Sequence, residues 1–538
     1  MSKLRLVTSA LPYANGDIHL GHMVEHIQTD IYVRFNRLMG RPCVYLCADD
    51  THGTAVMMSA ERHGIPPETY IDRVRHQHMA DFSLFNISYD AYYSTHSPEN
   101  QRISADIYRS ARADGAIITR DIDQYFCEQS GLFLADRYIK GHCPSCNAPD
   151  QYGDTCEVCY ATYAATDLKN PVSVFSGKAP VIRTSTHYFF TVSKYTSVIQ
   201  QWLTTNPVVD AVKNKLQEWF DAGLNDWDIS RDAPYFGFPI PDTINKYFYV
   251  WLDAPVGYIA ATDYWATSQG LSYQDVWNNA DIHHFIGKDI MYFHTLFWPA
   301  MLSVAGLQQP KRIHVHGFLT VNGEKMSKSR GTFILARDYA AHLDTDSLRY
   351  YYAAKLSPSL DDMDFSVSDF VNRVNADVLG KFVNIVSRMG AIITKKCEGR
   401  LSTIDADGDA LLHRIRQEST AIQHDYDNTA FHRAMRRIMA CAEWTNQYID
   451  AKAPWGMAPD AAQTVATVAL NAASIISIYL MPVMPRITAA IHTLLNTKPT
   501  QWSDCHHPLI NHPIQPYTHI LKRLTVDEVN RGLFSSNP

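Results

Sequence analysis

At 538 residues the chain exceeds what one hydrophobic core organises, so two to four domains are expected. An apolar fraction of 46% and a mean hydropathy of −0.22 describe an ordinary globular composition. The net charge of −7 argues, though only weakly, against a surface that binds nucleic acid everywhere. It leaves room for a local basic track, because phosphate attraction acts within a Debye length, about 10 Å.

Residues 4–9 (LRLVTS) and 43–48 (CVYLCA) read as short buried strands. Between them, residues 21–39 carry Met23, Ile27, Ile31, Phe35 and Leu38 at helical spacing. Strand, helix, strand is a βαβ unit and predicts a parallel sheet. Further helical pattern covers 67–86 and 99–115. Near Asp121 the character changes: strand-like QYFC and GLFLADRYI lead to a cysteine-rich patch and then to HYFFTV at 187–192. From Asp226 the sheet-and-helix signal returns in KYFYVWLDAPVGY, HHFIGKDIMYFHTLFW and a strand over 313–321 (IHVHGFLTV). This reads as a parallel sheet interrupted by an insertion of about 110 residues in one crossover. After Asp369 strand signals vanish, and Gly390, Gly399, Pro454 and Pro482 punctuate what reads as a helical bundle to the end. The longest apolar window, 465–480, is interrupted by Thr467, Asn471, Ser474 and Ser477. It is shorter than the roughly 20 residues of a spanning helix, so a buried helix and no membrane are expected. The opening residues lack the apolar core of a signal peptide, which predicts a cytoplasmic protein.

Ten cysteines without an export signal are thiols or metal ligands rather than disulfides. Four stand in HCPSCNAPDQYGDTCEVCY as Cys143-x2-Cys146 and Cys156-x2-Cys159, paired knuckles of the zinc-ribbon type. Four thiolates close a tetrahedron around one structural Zn2+. His142 is not needed as a ligand, and Cys43 and Cys47 read as buried thiols.

The stretch SALPYANGDIHLGHMVEH places His19 and His22 around Gly21 where a helix begins after a strand. A helix N-terminus at the carboxyl edge of a sheet is an anion site, and flanking imidazoles can donate to phosphate oxygens. By itself such a pair equally well caps a turn. The second stretch is GEKMSKSRG at 323–331, a glycine-flanked loop whose Lys325 and Lys328 can swing two ammonium groups onto a triphosphate. Asp49 and Asp50 end a strand where such sheets bind ligands.

HLGH and KMSKS together resemble the paired signatures of the class I aminoacyl-tRNA synthetases. ALPYANG, ADDTHGT, WDISRDAPYFG, YVWLDAPVGY and VNGEKMSKSRGTF extend the likeness to the methionyl-tRNA synthetase family over essentially the whole chain. That resemblance implies a Rossmann-like catalytic domain over 1–117 and 227–322, split by a zinc-knuckle insertion at 118–226. A KMSKS loop and stem-contact region at 323–368 and an all-α anticodon-binding domain at 369–538 follow. It implies ATP-dependent ligation of L-methionine to its tRNA through methionyl-adenylate, with Mg2+ accompanying ATP. His19 and His22 would stabilise the pentacoordinate phosphorus, and Lys328, assisted by Lys325, would hold the departing pyrophosphate. Gly21 and Asp289 would join them around ATP. Asp50 would pair with the methionine ammonium, and Leu11, Tyr13, Trp251, Ala254, Pro255, Tyr258 and His294 would form the side-chain pocket. Read from spacing alone, Trp251 and Tyr258 are ordinary core residues.

The same resemblance implies that Trp455 stacks on an anticodon base, with Asn384 and Arg388 as polar contacts, for both initiator and elongator methionine tRNAs. Residues 381–400 carry Lys381, Arg388, Lys395, Lys396 and Arg400 against the single acid Glu398, a local basic track suited to phosphate. Where relatives often have glycine after the second knuckle, this chain has Tyr160. The chain ends soon after the bundle, which predicts a monomer. The rival readings are another adenylate-forming enzyme, a synthetase for a branched amino acid, and a non-catalytic RNA-binding paralogue. The helical region, the short insertion and the two intact signatures argue against them in turn.

Overall fold

The structure, a computed structural model, describes residues 3–134, 138–153, 156–159, 161, 163–206, 208–326 and 332–534; the expectations for Tyr160 and Lys328 lie outside the described residues. Five strands form the central sheet: β1 (Arg5–Ser9), β2 (Cys43–Asp49), β3 (Ala91–Ser94), β4 (Asp281–Gly287) and β5 (Arg312–His316). Their spatial order is β5-β4-β1-β2-β3, and every pairing is parallel. Four of the strands, β3 excepted, are buried from their second residue on, histidines included, as in a parallel sheet with helices on both faces. Helices α1 (Leu20–Leu38), α2 (Thr54–His63) and α3 (Pro67–Leu84) follow β1 and β2. The chain runs outward from β1 to β3, leaves for the insertion, and returns on the other side of β1 as β4. The crevice between β1 and β4 is therefore the topological switch point.

The insertion holds a four-stranded sheet built on the long pair Ile117–Cys127 and Val181–Phe190, and a small three-stranded sheet of Ile139–His142, Gln151–Tyr152 and Lys169–Ser173. The small sheet and knuckles sit against α2 through Tyr138, whose hydroxyl lies 3.6 Å from Met57 Sδ.

Two expectations are corrected. The strand predicted over 313–321 is two strands, Arg312–His316 in the central sheet and Leu319–Val321 paired with Met363–Phe365 in another. The break falls at Gly317, where a side chain would collide with the Asp361 carbonyl. The carboxyl-terminal region is helical from Val367, but the chain between Trp502–His506 and Val526–Phe534 forms no helix. It lies along the bundle, pinned where Asn375 exchanges two hydrogen bonds with Leu524. The helix Pro459–Leu480 is long and apolar enough to cross a membrane, and 83% of its apolar window is buried among its neighbours.

Arg349 joins the two halves. Fully buried in the helix Thr345–Lys355, it donates to Asp30 of α1 (2.6 Å), to the Phe85 carbonyl (3.1 Å) and to the carbonyls of Val483 (2.7 Å) and Pro482 (3.0 Å). Burial opposes ionisation of Asp30, but Arg34 and Arg349 outweigh it and hold its carboxyl below the usual range. Removing Arg349 halves the guanidinium pairing of the buried Asp30, which keeps Arg34 at 2.7 Å, and takes this donor from three carbonyls. We expect Arg349→Met to destabilise the fold by about 3–5 kcal/mol, and adding Asp30→Asn to recover part of that loss. Denaturant unfolding checks this; a double variant no more stable than the single one contradicts it.

Candidate functional site

A cleft of about 1180 Å3 opens at the switch point, at the carboxyl ends of β1, β2, β4 and β5. Among its lining residues are Leu11 and Tyr13 after β1, His19, Gly21 and His22 at the mouth of α1, and Asp50 after β2. Trp251, Asp289, Lys325, Met326 and Phe333 line it from later in the chain. The two sequence signatures thus share one cavity.

At the helix mouth, the backbone donors are largely consumed by the chain itself. His19 is the N-cap of α1, and its Nδ1 accepts from the Gly21 N–H at 3.1 Å. The Nδ1 of His22 accepts from the His19 N–H at 3.3 Å. The Leu20 N–H goes to the Ile334 carbonyl at 3.0 Å. The expectation of an anion site at this helix N-terminus is corrected to that extent: the Leu20 and Gly21 N–H groups are already satisfied within the chain. What the mouth offers instead is two imidazoles, stacked with centroids 3.8 Å apart. Because both Nδ1 atoms accept, the hydrogen-bond pattern assigns the proton of each neutral ring to Nε2. Desolvation first, and the neighbouring His19 second, hold His22 well below the ordinary histidine pKa. It is therefore a neutral donor near pH 7, at the positive end of the helix dipole.

The described residues on either side of positions 327–331 pack on this mouth. A methyl group on Gly21 would sit 2.6 Å from Met326 Cε and 2.9 Å from His19 Cε1, so glycine is what lets Met326 lie over the helix mouth. On the far flank Phe333 packs edge-on against His19 at 4.9 Å, and the Ala336 N–H reaches the Ile18 carbonyl at 2.9 Å.

Asp50 is half of a crossing between two loops: its N–H donates to Pro12 (2.9 Å) and its carbonyl accepts from Ala14 (2.7 Å). Its Oδ1 is buried without a partner among the described residues. Burial, then the nearby Asp253, raise its pKa well above the carboxylate norm. A buried carboxylate in this condition favours a cation arriving from the cleft. Trp251 stacks on Phe293 at 3.8 Å and faces the cleft. Ala254, Pro255, Tyr258 and His294 are buried and do not line the cavity. Tyr258 and His294 are joined behind it by a 2.9 Å hydrogen bond. Gly257, next to Tyr258 in the helix Val250–Ser268, brings that helix onto Leu11.

Several cleft residues were not singled out by sequence. Glu25 is one helical turn beyond His22, with Oε1 buried and without a partner among the described residues, and Oε2 3.4 Å from His316. Arg231, from WDISRD, lies over the Tyr249 ring at 3.7 Å, and Tyr152 reaches the cleft from the knuckle sheet. The i,i+3 spacing from His22 was the available signal for Glu25; nothing local announced Tyr152.

In the helical region Asn384 and Arg388 lie one turn apart on the helix Asn384–Lys396. Arg388 sits 5.0 Å from the ring of Trp455, which is 53% exposed, so Trp455 is not core filling. Asn384 also borders a second hollow of about 710 Å3 with Ser387, Tyr517, His519 and Arg523. The basic track is less bare than its own segment implied: Lys381 pairs with Asp377 and Glu443, and Arg388 with Asp450.

The four knuckle sulfurs all lie within 4.8 Å of one another. Cys143 to Cys159 is 3.7 Å and Cys146 to Cys156 is 3.6 Å, close to the roughly 3.8 Å edge of a tetrahedron with 2.3 Å metal–sulfur bonds. Backbone N–H groups of Cys146, Val158 and Cys159 point at the buried sulfurs of Cys143 and Cys156, as stabilised thiolates require. Asn147, with φ of 62°, makes the left-handed turn of the first knuckle. This donor set can hold a metal ion. We expect Cys143→Ser and Cys156→Ser each to lower bound metal from about one equivalent per chain to a small fraction, read by elemental analysis; full metal content in both variants contradicts the cluster.

Residues 5–390 match the family model for tRNA synthetases class I (M), and residues 400–516 match that for the anticodon binding domain of methionyl tRNA ligase. A methionine--tRNA ligase of Dichelobacter nodosus is 48% identical over 535 residues, spanning 97% of this chain and 79% of that protein. The methionyl-tRNA synthetase of Mycobacterium tuberculosis in complex with methionyl-adenylate superposes with a TM-score of 0.81 at 25% identity, covering 97% of this chain and all of that one. The apo form of the same enzyme shares the fold with a TM-score of 0.74 at 24% identity, covering 98% and 99% of the two chains. The chain belongs to the methionyl-tRNA synthetase family of class I aminoacyl-tRNA synthetases.

Proposed function

We propose that the protein charges methionine tRNA in two steps. In the first, a carboxylate oxygen of L-methionine attacks the α-phosphorus of ATP, forming methionyl-adenylate and expelling pyrophosphate. In the second, a hydroxyl of the tRNA's terminal adenosine attacks the methionyl carbonyl, the new ester forms, and AMP leaves. The observation that carries this reading is the meeting of residues from both signatures and of Asp50, whose Oδ1 has no partner among the described residues, in one cleft at the sheet's switch point.

Each group has a defined task. Asp50 takes the ammonium of methionine, and Leu11, Tyr13 and Trp251 form the outer wall of the thioether pocket, with Ala254, Pro255, Tyr258 and His294 behind. A soft thioether packs well against such aromatic edges. His19 and His22 donate from Nε2 to the phosphates as negative charge builds on the α-phosphorus, and Gly21 keeps the approach open. Lys325 and Lys328 bind the departing pyrophosphate, and Asp289 with Glu25 serves the nucleoside end. Little proton transfer is asked of the protein; positioning and charge stabilisation carry the rate. Mg2+ accompanies ATP and neutralises its phosphates. Cys143, Cys146, Cys156 and Cys159 hold one structural Zn2+ in the knuckle module.

Trp455, Arg388 and Asn384 read the anticodon by stacking and hydrogen bonding, the usual recognition of unpaired RNA bases. Both initiator and elongator methionine tRNAs present that anticodon. The cleft and the anticodon patch form within one chain, which supports a monomer, and the substrates are those of the cytoplasm.

Pyrophosphate exchange with each standard amino acid in turn tests the assignment: methionine alone should drive it. Asp50→Asn should weaken methionine binding by about 2–3 kcal/mol, roughly 30- to 150-fold in Kd. With Asp50 raised by burial, binding in the wild type should tighten as pH rises through its titration and fade as pH falls. An unchanged Kd in Asp50→Asn contradicts its role. Trp455→Ala should lower tRNA charging at least tenfold while leaving pyrophosphate exchange intact; equal losses in both assays contradict an anticodon contact.

A further inference from the structure

We propose that His78 of α3 is a positioning residue for adenylate formation: as an imidazolium it ties the turn leading to His19 to the strand end leading to Asp50. This rests on the function proposed above. His78 is fully buried, 62 residues from one partner and 29 from the other. Its Nδ1 lies 2.7 Å from Asp49 Oδ1 and its Nε2 lies 2.7 Å from the Gly16 carbonyl. Both partners are acceptors. A neutral imidazole carries one N–H and satisfies only one of them, so the pair of contacts requires both nitrogens protonated.

The two partners sit at telling places. Asp49 is the last residue of β2 and immediately precedes Asp50. Gly16 lies in the turn between Tyr13 and His19, three residues before the N-cap of α1. His78 therefore sets the amino-acid side of the cleft against the phosphate side. The same helix reaches the third part of the site. Asp81, one turn on, lies 3.7 Å from Arg337, which also pairs with Asp17 of the turn at 2.6 Å. Arg337 stands in the helix Ala336–His342, at the distal flank of the KMSKS segment. The strut α3 thus touches the lead-ins of all three catalytic segments while contributing no residue to the cleft surface itself.

The charged and titratable groups around His78 are Asp49 with Tyr92 donating to it, Asp81, Arg337 with Asp17, and the histidines His22 and His26 of α1. Burial works against the imidazolium, but the Asp49 hydrogen bond and charge, the Gly16 carbonyl and Asp81 prevail and raise its pKa. A raised histidine pKa means that the tie is complete at low pH and is lost as pH rises through the folded-state value.

The test is the pH dependence of methionine-dependent pyrophosphate exchange. The wild type should lose rate on the alkaline side as His78 deprotonates. His78→Gln should lower kcat roughly 10- to 100-fold and lack that limb. Asp49→Asn should move the limb down by about one pH unit or more. Wild-type profiles in both variants overturn the proposal, as does a folded Asp49→Asn protein with an unshifted limb when His78→Gln fails to fold. Imidazole 15N NMR of the wild type supplies a readout independent of any variant. A histidine with both nitrogens protonated must titrate together with the alkaline limb, and its absence overturns the assignment. Exchange by the wild type with methionine tests the function, and the shape of the profiles tests His78, so either can fail alone.

Discussion

The mouth of helix Leu20–Leu38 is closed by its own imidazoles, and this local hydrogen-bond economy governs the rest of the site. With Leu20 and Gly21 N–H groups satisfied by Ile334 and His19, the helix end needs no ligand to be stable. Under the proposed function, that self-sufficiency leaves phosphate to the Nε2 protons and the helix dipole rather than to the Leu20 and Gly21 N–H groups. Such donors are fixed before substrate arrives, which is the condition under which electrostatic stabilisation contributes most. Because Leu20 is capped by Ile334, the helix mouth and the KMSKS flank form one unit: the segment at 332–336 is a structural partner of the mouth, while Met326 covers Gly21 from the other end.

Preorganisation of this kind depends on buried charges placed well behind the cleft. Arg349 with Asp30 locks α1 to the helical domain, and Asp49 with His78 locks the loops at its two sides. A third set lies in WDISRD, where His187 bridges Asp228 at 2.7 Å and Asp232 at 2.9 Å. Its two carboxylate partners raise the His187 pKa against the cost of burial. The clamp flanks Arg231, whose guanidinium is further held by Asp228 at 3.3 Å. Each of these pairs costs desolvation and gives geometric definition in return, a trade suited to a reaction driven by alignment.

Much of this was legible in the sequence because the decisive signals are short-ranged. The βαβ start, the HLGH turn at a helix N-cap, the CxxC spacings and the loss of strand pattern after Asp369 all follow from local periodicity or ligand spacing. The parts that escaped are long-range or depend on the partner. The strand break at Gly317 leaves the apolar pattern of IHVHGFLTV unaltered; only the approach of Asp361 reveals it. The non-helical chain after His506 carries enough apolar residues to pass for bundle, yet its groups are satisfied across the domain by residues such as Asn375. The acids that pair with Lys381 and Arg388 include Glu443 and Asp450 on another helix, so the track looked barer than it is. His78 and Tyr152 belong to the same class: nothing near them in the chain marks them.

The central claim is that twin imidazoles and the lysine loop converge on a single triphosphate. The most direct measurement is a crystal structure with a non-hydrolysable ATP analogue and methionine bound. The account predicts phosphate oxygens within hydrogen-bond distance of Nε2 of His19 and His22, with Lys325 and Lys328 on the opposite side of the same phosphates and the methionine ammonium on Asp50. A triphosphate seated elsewhere, or one held with both Nε2 atoms turned away, would contradict it.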